Sequence, residues 1–213
     1  RVLFRSSVPM RMAFALLERV SPTDATVLLE GETGTGKDLA AEAVHQASPR
    51  RDGPLIVVDC GAAPANLIES MLFGHERGAF TGAIQQKKGK IEIANHGTVF
   101  LDEVGAINPK MQVDLLRTLE TKEFTRLGGS RSIKVDFRII CATNENLEAA
   151  VEEGRFREDF YYRINVFTIE VPPLRSRSED IPLLAEHFRK KFANEMDKRI
   201  TEISPEALEI GRA

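Results

Sequence analysis

Three observations predict a doubly wound α/β fold, a parallel sheet with helices on both faces, followed by the truncated beginning of a helical lid. Short apolar strands alternate with amphipathic helices, a glycine-rich turn joins the first strand to the helix after it, and a later apolar strand ends in two acids. Strands alternating with helices in this way argue for βαβ units, whose crossover helices return every strand to one direction.

Each element has its own local reason. Residues 7–20 place Val8, Met12, Leu16, Leu17 and Val20 at helical spacing, and Ser21-Pro22 stops the helix. Residues 26–30 are a short leucine and β-branched run that reads as a buried strand. The glycine-rich turn occupies 31–37, and 38–46 (DLAAEAVHQ) follow as a helix. Leu55–Asp59 (LIVVD) is a second strand and Ala65–Phe73 a second helix. Residues 99–102 and 137–142 (FRIICA) are further strands with a helix over 110–120 between them, and 166–171 supply another. After Pro172-Pro173 the pattern turns helical. Residues 178–196 open with Ser-Glu-Asp and keep their apolar residues at a period of about 3.6, and a further helix begins at 205–210.

Composition bounds the possibilities. The chain has 213 residues, with 29 Lys and Arg against 32 Asp and Glu, and is 42% hydrophobic. That balance supplies a core and argues against disorder, collagen and a strongly basic nucleic-acid module. No apolar run approaches the ~20 residues of a membrane span, and no signal-peptide pattern opens the chain. Cys60 and Cys141 are too few for a disulfide framework and fall in segments that read as core strands, so a reducing, cytoplasmic compartment is expected. His45, His75, His96 and His187 are too scattered for a zinc site. Phe156, Phe160, Tyr161 and Tyr162 read as helix packing, and the basic clusters at 87–88 and 189–191 as solvated faces.

The glycine-rich turn carries the first chemistry. Gly31, Glu32, Thr33, Gly34, Thr35, Gly36 and Lys37 fit GxxxxGK between a strand and a helix, the context that a phosphate-binding P-loop requires. Its backbone N–H groups and the positive end of the following helix dipole suit phosphate oxygens, and Lys37 adds a point charge. Asp38 stands where a magnesium-binding Ser or Thr is usual, so the metal must lean on another site. Asp102 and Glu103, ending the strand at 99–102, provide it. An intervening strand and helix can set that strand beside the P-loop strand, leaving Asp102 to hold Mg²⁺ and Glu103 to polarise a water. Hydrolysis of a nucleoside triphosphate is then expected over transfer to an organic acceptor, with Asp102 and Glu103 as the metal residues.

Between these motifs, Glu76 and Arg77 lead into Gly78, Ala79, Phe80, Thr81, Gly82 and Ala83, a glycine-bracketed loop exposing one aromatic and one hydroxyl. Alone it is equally an ordinary surface loop. The chain also carries GETGTGKD, ESMLFGHERGAFTGA, GTVFLDEVG, LGGSRSIKVDFRIICATN, GRFREDFYYRINV and PPLRSRSEDIPLL, in this order. From about residue 7 to 208 it closely resembles the central domain of the sigma-54-dependent transcriptional activators (bacterial enhancer-binding proteins, NtrC-like), P-loop NTPases of the AAA+ class. An acidic residue commonly follows the P-loop lysine in this family, which accounts for Asp38.

The resemblance implies an ATPase that works as a ring, usually a hexamer, to remodel the sigma-54 RNA polymerase holoenzyme and open promoter DNA. Phe80 and Thr81 would touch sigma-54, and the segment around 108–113 would form a second pore loop supporting them. Thr143-Asn144 resembles the sensor I position, Asn144 reading the γ-phosphate or its water. Arg157 and Arg163 resemble arginine fingers reaching a neighbouring subunit's nucleotide, although each alone reads as a surface ion-pair partner. Family members often carry Asn where this chain has Asp59, and an ionised Asp59 near Glu103 would repel it. The family's sensor II arginine would lie beyond residue 213, and promoter or enhancer DNA would be read by a domain outside this chain, with no membrane involved.

These readings divide the chain into a nucleotide-binding core at 7–171 and the start of a lid at 172–208. Residues 1–6 (RVLFRS) and 209–213 (EIGRA) resemble translated adapter sequence and are expected to be non-native ends. The alternative is a regulator or remodeller of the same fold that does not contact sigma-54. Such relatives lack an intact GAFTGA loop or carry a different pore loop, and here Gly78 to Ala83 are intact.

Overall fold

The computed structural model describes residues 7–62, 64–204 and 207. In chain order its elements are α1 (Val8–Val20), β1 (Val27–Glu30), α2 (Lys37–Gln46), β2 (Leu55–Asp59), α3 (Ala65–Phe73), β3 (Gly74–His75), β4 (Lys87–Lys88), α4 (Lys90–Ile93) and β5 (Thr98–Asp102). There follow α5 (Pro109–Thr121), β6 (Glu123–Thr125), β7 (Ser132–Lys134), β8 (Arg138–Thr143), α6 (Leu147–Glu152), α7 (Glu158–Ile164), β9 (Phe167–Glu170) and α8 (Ile181–Glu195). The helix expected at 205–210 lies, except for Ala207, outside the described residues, as do both ends set aside above.

Five strands make one parallel sheet in the order β2-β5-β8-β1-β9. Alternate residues of each inner strand face opposite sides. Leu28, Val99, Leu101, Ile139 and Cys141 pack with α3, α5, α6 and α7 in one apolar cluster. Val27, Leu29, Phe100, Ile140 and Ala142 pack with α1 and α2 in the other. Two covered faces are why these strands read as nearly continuous apolar runs. Two antiparallel ribbons, β3–β4 and β6–β7, stand outside the sheet. Their strands of two or three residues are too short to announce themselves as alternating patterns.

The sheet corrects one expectation. The P-loop strand β1 and the acid-bearing strand β5 are not side by side, because β8 lies between them, pairing with both. All six residues of β8 are buried, Arg138 included. A strand apolar on both faces and paired on both edges is hidden only in the middle of a sheet. Cys60, expected in a strand, is a buried residue just past the end of β2, and Tyr162 points outward at 65% exposure while Phe156, Phe160 and Tyr161 are buried.

The entry to the lid also differs. Residues 174–180 form a 3-10 turn kinked at Arg177, and α8 starts only at Ile181, with Pro182 in its first turn. Asp180 stands at the N-cap position of α8, but its side chain does not cap that helix. Asp180 is fully buried, and its carboxylate accepts from the Ser7 N–H (3.1 Å) and the Ser7 hydroxyl (3.0 Å), tying down the start of α1. At the other end of α1, the buried Arg138 guanidinium donates to the carbonyls of Val20 (3.0 Å), Ser21 (2.9 Å) and Ala25 (3.2 Å). Burial pulls its pKa below the usual arginine value. Among the described residues no helix is long and apolar enough to cross a membrane.

Arg138→Leu fits the volume but leaves three carbonyls without a donor. We expect a loss of roughly 2–4 kcal/mol in urea denaturation, against little change for an exposed arginine such as Arg51.

Candidate functional site

The carboxyl ends of β1, β5 and β8 turn into the loops that carry the chemistry, the edge where open parallel sheets gather ligands. After β1 the chain curls through Gly31, Gly34 and Gly36, with φ of +154°, +81° and +98°. Gly36 is the N-cap of α2, a left-handed position where a side chain is disfavoured. A Cβ on Gly31 would sit 2.6 Å from the Val171 carbonyl, whereas one on Gly34 would meet nothing within 4 Å, so the turn is backed by β9 and open at its mouth. Lys37 opens α2, is buried, and its ammonium donates to the carbonyls of Gly31 (2.8 Å) and Glu32 (3.0 Å), which holds the charge across the curl. Thr35 is buried and its hydroxyl donates to the Glu32 carbonyl (2.8 Å). Asp38 lies in the first turn of α2. The exposed Glu32 carboxylate is held below its ordinary pKa by the Arg175 guanidinium.

Two strands away, β5 ends at Asp102, directly opposite Asp59 in the sheet register. Burial raises the Asp102 pKa; the N–H of Glu103 and the Lys37 charge oppose the rise, while Asp59 and Asp38 add to it. Glu103 follows in the left-handed region at φ +52° and ψ +49°, a strained setting for a non-glycine residue. Its carboxylate reaches back over Gly61, so closely that a Cβ there would overlap Oε2. Asp59 closes the adjoining turn, its Oδ1 accepting from the N–H groups of Gly61 (2.9 Å) and Ala62 (3.0 Å). Burial, with the same acids adding to it, pushes the Cys60 thiol up to about 12, an inert form.

Because β8 intervenes, its end falls between the acids and the P-loop. Thr143 is buried there, and Asn144 donates from Nδ2 to the Thr33 hydroxyl (2.9 Å), linking this turn to the P-loop. A cavity of about 530 Å³ opens beside it, lined by Gly31, Glu32, Asn144 and residues of α6 and α7. A larger cavity of about 720 Å³ lies elsewhere, between α3, α5 and the β6–β7 ribbon. Size does not make it the centre of chemistry, since the smaller cavity is the one that touches the glycine curl, at Gly31 and Glu32, and the Asn144 turn.

Among the described residues no three His, Cys, Asp or Glu side chains gather into a metal cage. The donors present do fit magnesium. Asp102, with Asp38 and Asp59 close enough to raise its pKa, offers hard oxygen to an ion that keeps water and phosphate as its other ligands.

Arg157 and Arg163 do not join this site within the chain. Arg157 caps α7, half exposed, and pairs with Asp159 (2.7 Å); Arg163 donates to the Leu119 carbonyl (3.2 Å) at the end of α5. Gln112, fully buried, accepts from the Arg157 N–H (2.7 Å) and so fixes where α7 begins.

The loop at Gly78 to Ala83 is a tight turn closed by Gly78 N–H to Ala83 O (2.8 Å) and Ala83 N–H to Phe80 O (3.0 Å). Phe80 is 41% exposed, its ring edge-on to His75 at 4.9 Å, and Thr81 and Ile84 face outward. Residues 108–113 do not form the second loop beneath it. Asn108 caps α5 by accepting from the Met111 N–H (2.9 Å), and Pro109 starts the helix, a strong local helix signal. The support comes instead from the turn between β6 and β7. Leu127 exchanges backbone hydrogen bonds with Gly74 and Glu76, and a Cβ on Gly128 would come within 2.8 Å of Ala79. Arg126 pins the loop's base, donating to Glu76 (2.8 Å) and Glu92 (2.8 Å). The RLGG run was the available sequence signal for this; Gly61 and His75 had none.

Comparison with known proteins agrees with this geometry. Residues 3–170 match the Sigma-54 interaction domain family, and residues 175–210 match the AAA+ ATPase lid domain. The chain is 53% identical over 204 residues to the Nif-specific regulatory protein of Herbaspirillum seropedicae, covering 96% of this chain and 38% of that protein. It is 56% identical over 189 residues to the DNA-binding transcriptional activator HyfR of Escherichia coli, covering 89% and 28%. The crystal structure of NtrX from Brucella abortus in complex with ADP superposes with a TM-score of 0.92 at 37% identity, over all of this chain and 47% of that one. The fold is thus an α/β P-loop NTPase of the AAA+ class, and the chain spans about a third of the length of the curated relatives it matches.

A raised folded-state pKa means that Asp102 binds its proton more tightly folded than unfolded. Its contribution to stability is complete below the ordinary carboxylate range and is lost as pH rises through the raised value. Asp102→Asn should therefore raise the Tm at pH 7 by about 1–3 °C, and the gain should vanish near pH 3 in a thermal series.

Proposed function

The chain belongs to the Sigma-54 interaction domain family, and from that premise we propose that it binds and hydrolyses ATP with Mg²⁺ as part of a ring, using the turnover to remodel the sigma-54 RNA polymerase holoenzyme. One observation carries the reading: a P-loop cradle sharing a domain with an exposed Phe80-Thr81 loop whose base is braced by a separate hairpin. The 7–171 core holds both, and 172–208 begin the lid.

In this reading, the N–H groups from Gly31 to Asp38 and the Lys37 ammonium hold the phosphates. Asp102, with Glu103 beside it, would hold Mg²⁺, which neutralises charge on the phosphate oxygens when bound. Glu103 orients and deprotonates the attacking water, its left-handed backbone and the bare Gly61 fixing where the carboxylate rests. Asn144 senses the terminal phosphate from the neighbouring strand. Arg157 and Arg163, held here by Asp159 and by the Leu119 carbonyl, act on the nucleotide of an adjacent subunit in a hexamer. Gly78, Ala79, Phe80, Thr81, Gly82 and Ala83 form the contact with sigma-54. Promoter or enhancer DNA is read by another domain, and the work is done in the cytoplasm without a membrane.

The test mixes the protein with sigma-54 and ADP–aluminium fluoride and looks for a complex by gel filtration. A complex that needs the mimic and disappears with Thr81→Ala supports the proposal. Concentration-dependent ATPase activity without any complex would leave a ring ATPase with another client. Within the same reading, Gly61→Ala displaces the Glu103 carboxylate at little structural cost, so turnover should fall by about tenfold or more while ADP binding stays unchanged in a titration.

A further inference from the structure

We propose that Arg177 is a positioning residue for phosphate binding, acting on the P-loop from the first turn of the lid. The inference rests on the nucleotide reading above and adds to it a residue from outside the P-loop. Arg177 is 6% exposed, at the kink where the 3-10 turn of residues 174–180 departs from helical geometry (φ −134°, ψ +47°). Its Nη2 donates to the Thr35 carbonyl (2.8 Å) and its Nη1 to the Met10 sulfur (3.2 Å), while its Nε has no hydrogen-bond partner among the described residues. Packing of this kind is poor value as a structural anchor, since a buried guanidinium with an orphaned N–H is costly. It is well suited to orienting one peptide.

That peptide joins Thr35 to Gly36. In a planar trans peptide the C=O and N–H point in opposite directions. With the Thr35 carbonyl held outward by Arg177, the Gly36 N–H is aimed toward the inside of the curl, where a phosphate oxygen would sit. Beyond that plane Gly36, having no Cβ, takes the φ of +98° that the curl requires. The same turn delivers Arg175 to the Glu32 carboxylate (Nη1 to Oε2, 2.6 Å), so two lid arginines brace the P-loop at residues 32 and 35. Lid orientation and phosphate affinity are therefore linked through Arg177.

The test measures affinities for ADP and for AMP, which lacks the β-phosphate, in the wild type and in Arg177→Met, Arg177→Gln and Arg177→Lys. Urea denaturation runs alongside. We expect whichever neutral variant unfolds cooperatively to lose about tenfold in ADP affinity with AMP affinity nearly unchanged, and Arg177→Lys to recover most of the loss. Wild-type affinity for ADP in a neutral variant overturns the inference, as does an equal loss for ADP and AMP. Failure of both neutral variants to unfold cooperatively also overturns it, making Arg177 a residue of the fold. Absence of ADP binding in the wild type would instead defeat the nucleotide reading itself.

Discussion

Everything in this domain depends on where β8 sits. Buried on both faces and paired on both edges, it occupies the middle of a sheet whose strands all run one way. Parallel strands deliver their carboxyl ends to one edge, so the turn after β8 falls between the P-loop of β1 and the acids of β5. Asn144 reaches Thr33 from that position, and Asp102 lies near enough to Lys37 for the charge to oppose its raised pKa. A β5 placed directly beside β1 would leave no room for such a residue between them.

The hydrogen bonds of the two buried arginines, Arg138 and Arg177, go to dipoles rather than to carboxylates. Arg138 binds three carbonyls, and Arg177 one carbonyl and a thioether. Burial lowers the pKa of both. Fixed carbonyls give direction without neutralising the charge, and direction is what α1 and the P-loop need from them. The acid counterpart is Asp180, which anchors the start of α1 from the far end of the core. Through these residues the first helix, the P-loop and the lid turn form one mechanical unit.

The loop at Gly78 to Ala83 is built on the opposite principle. Its own hydrogen bonds are local, its aromatic ring rests edge-on against one histidine, and its tip faces water. Rigidity is supplied from below by Arg126 and the Leu127 backbone. A loop that is closed at its base and loosely held at its tip can be raised or lowered without disturbing the core. Strain is kept apart from it, at Glu103, where the left-handed backbone brings a carboxylate over Gly61.

Much was legible in residues close together in the chain. The glycine curl, Leu55–Asp59, Ala65–Phe73 and the acids closing β5 are local patterns, because turns, strands and helix starts are decided by near neighbours. So was the α/β class, since apolar runs alternating with helical periods admit few architectures. What only the tertiary structure decided is which distant residues meet. The strand order, the grip of Asp180 on Ser7, the reach of Arg177 to Thr35 and the support of Ala79 by Gly128 leave no periodic trace. Misreading the Ser-Glu-Asp run as a helix start and 108–113 as a pore loop has the same origin. A polar residue looks alike in sequence whether it caps its own helix or binds the N-cap residue of one 173 residues earlier, and only packing, by burying the group, selects its partner.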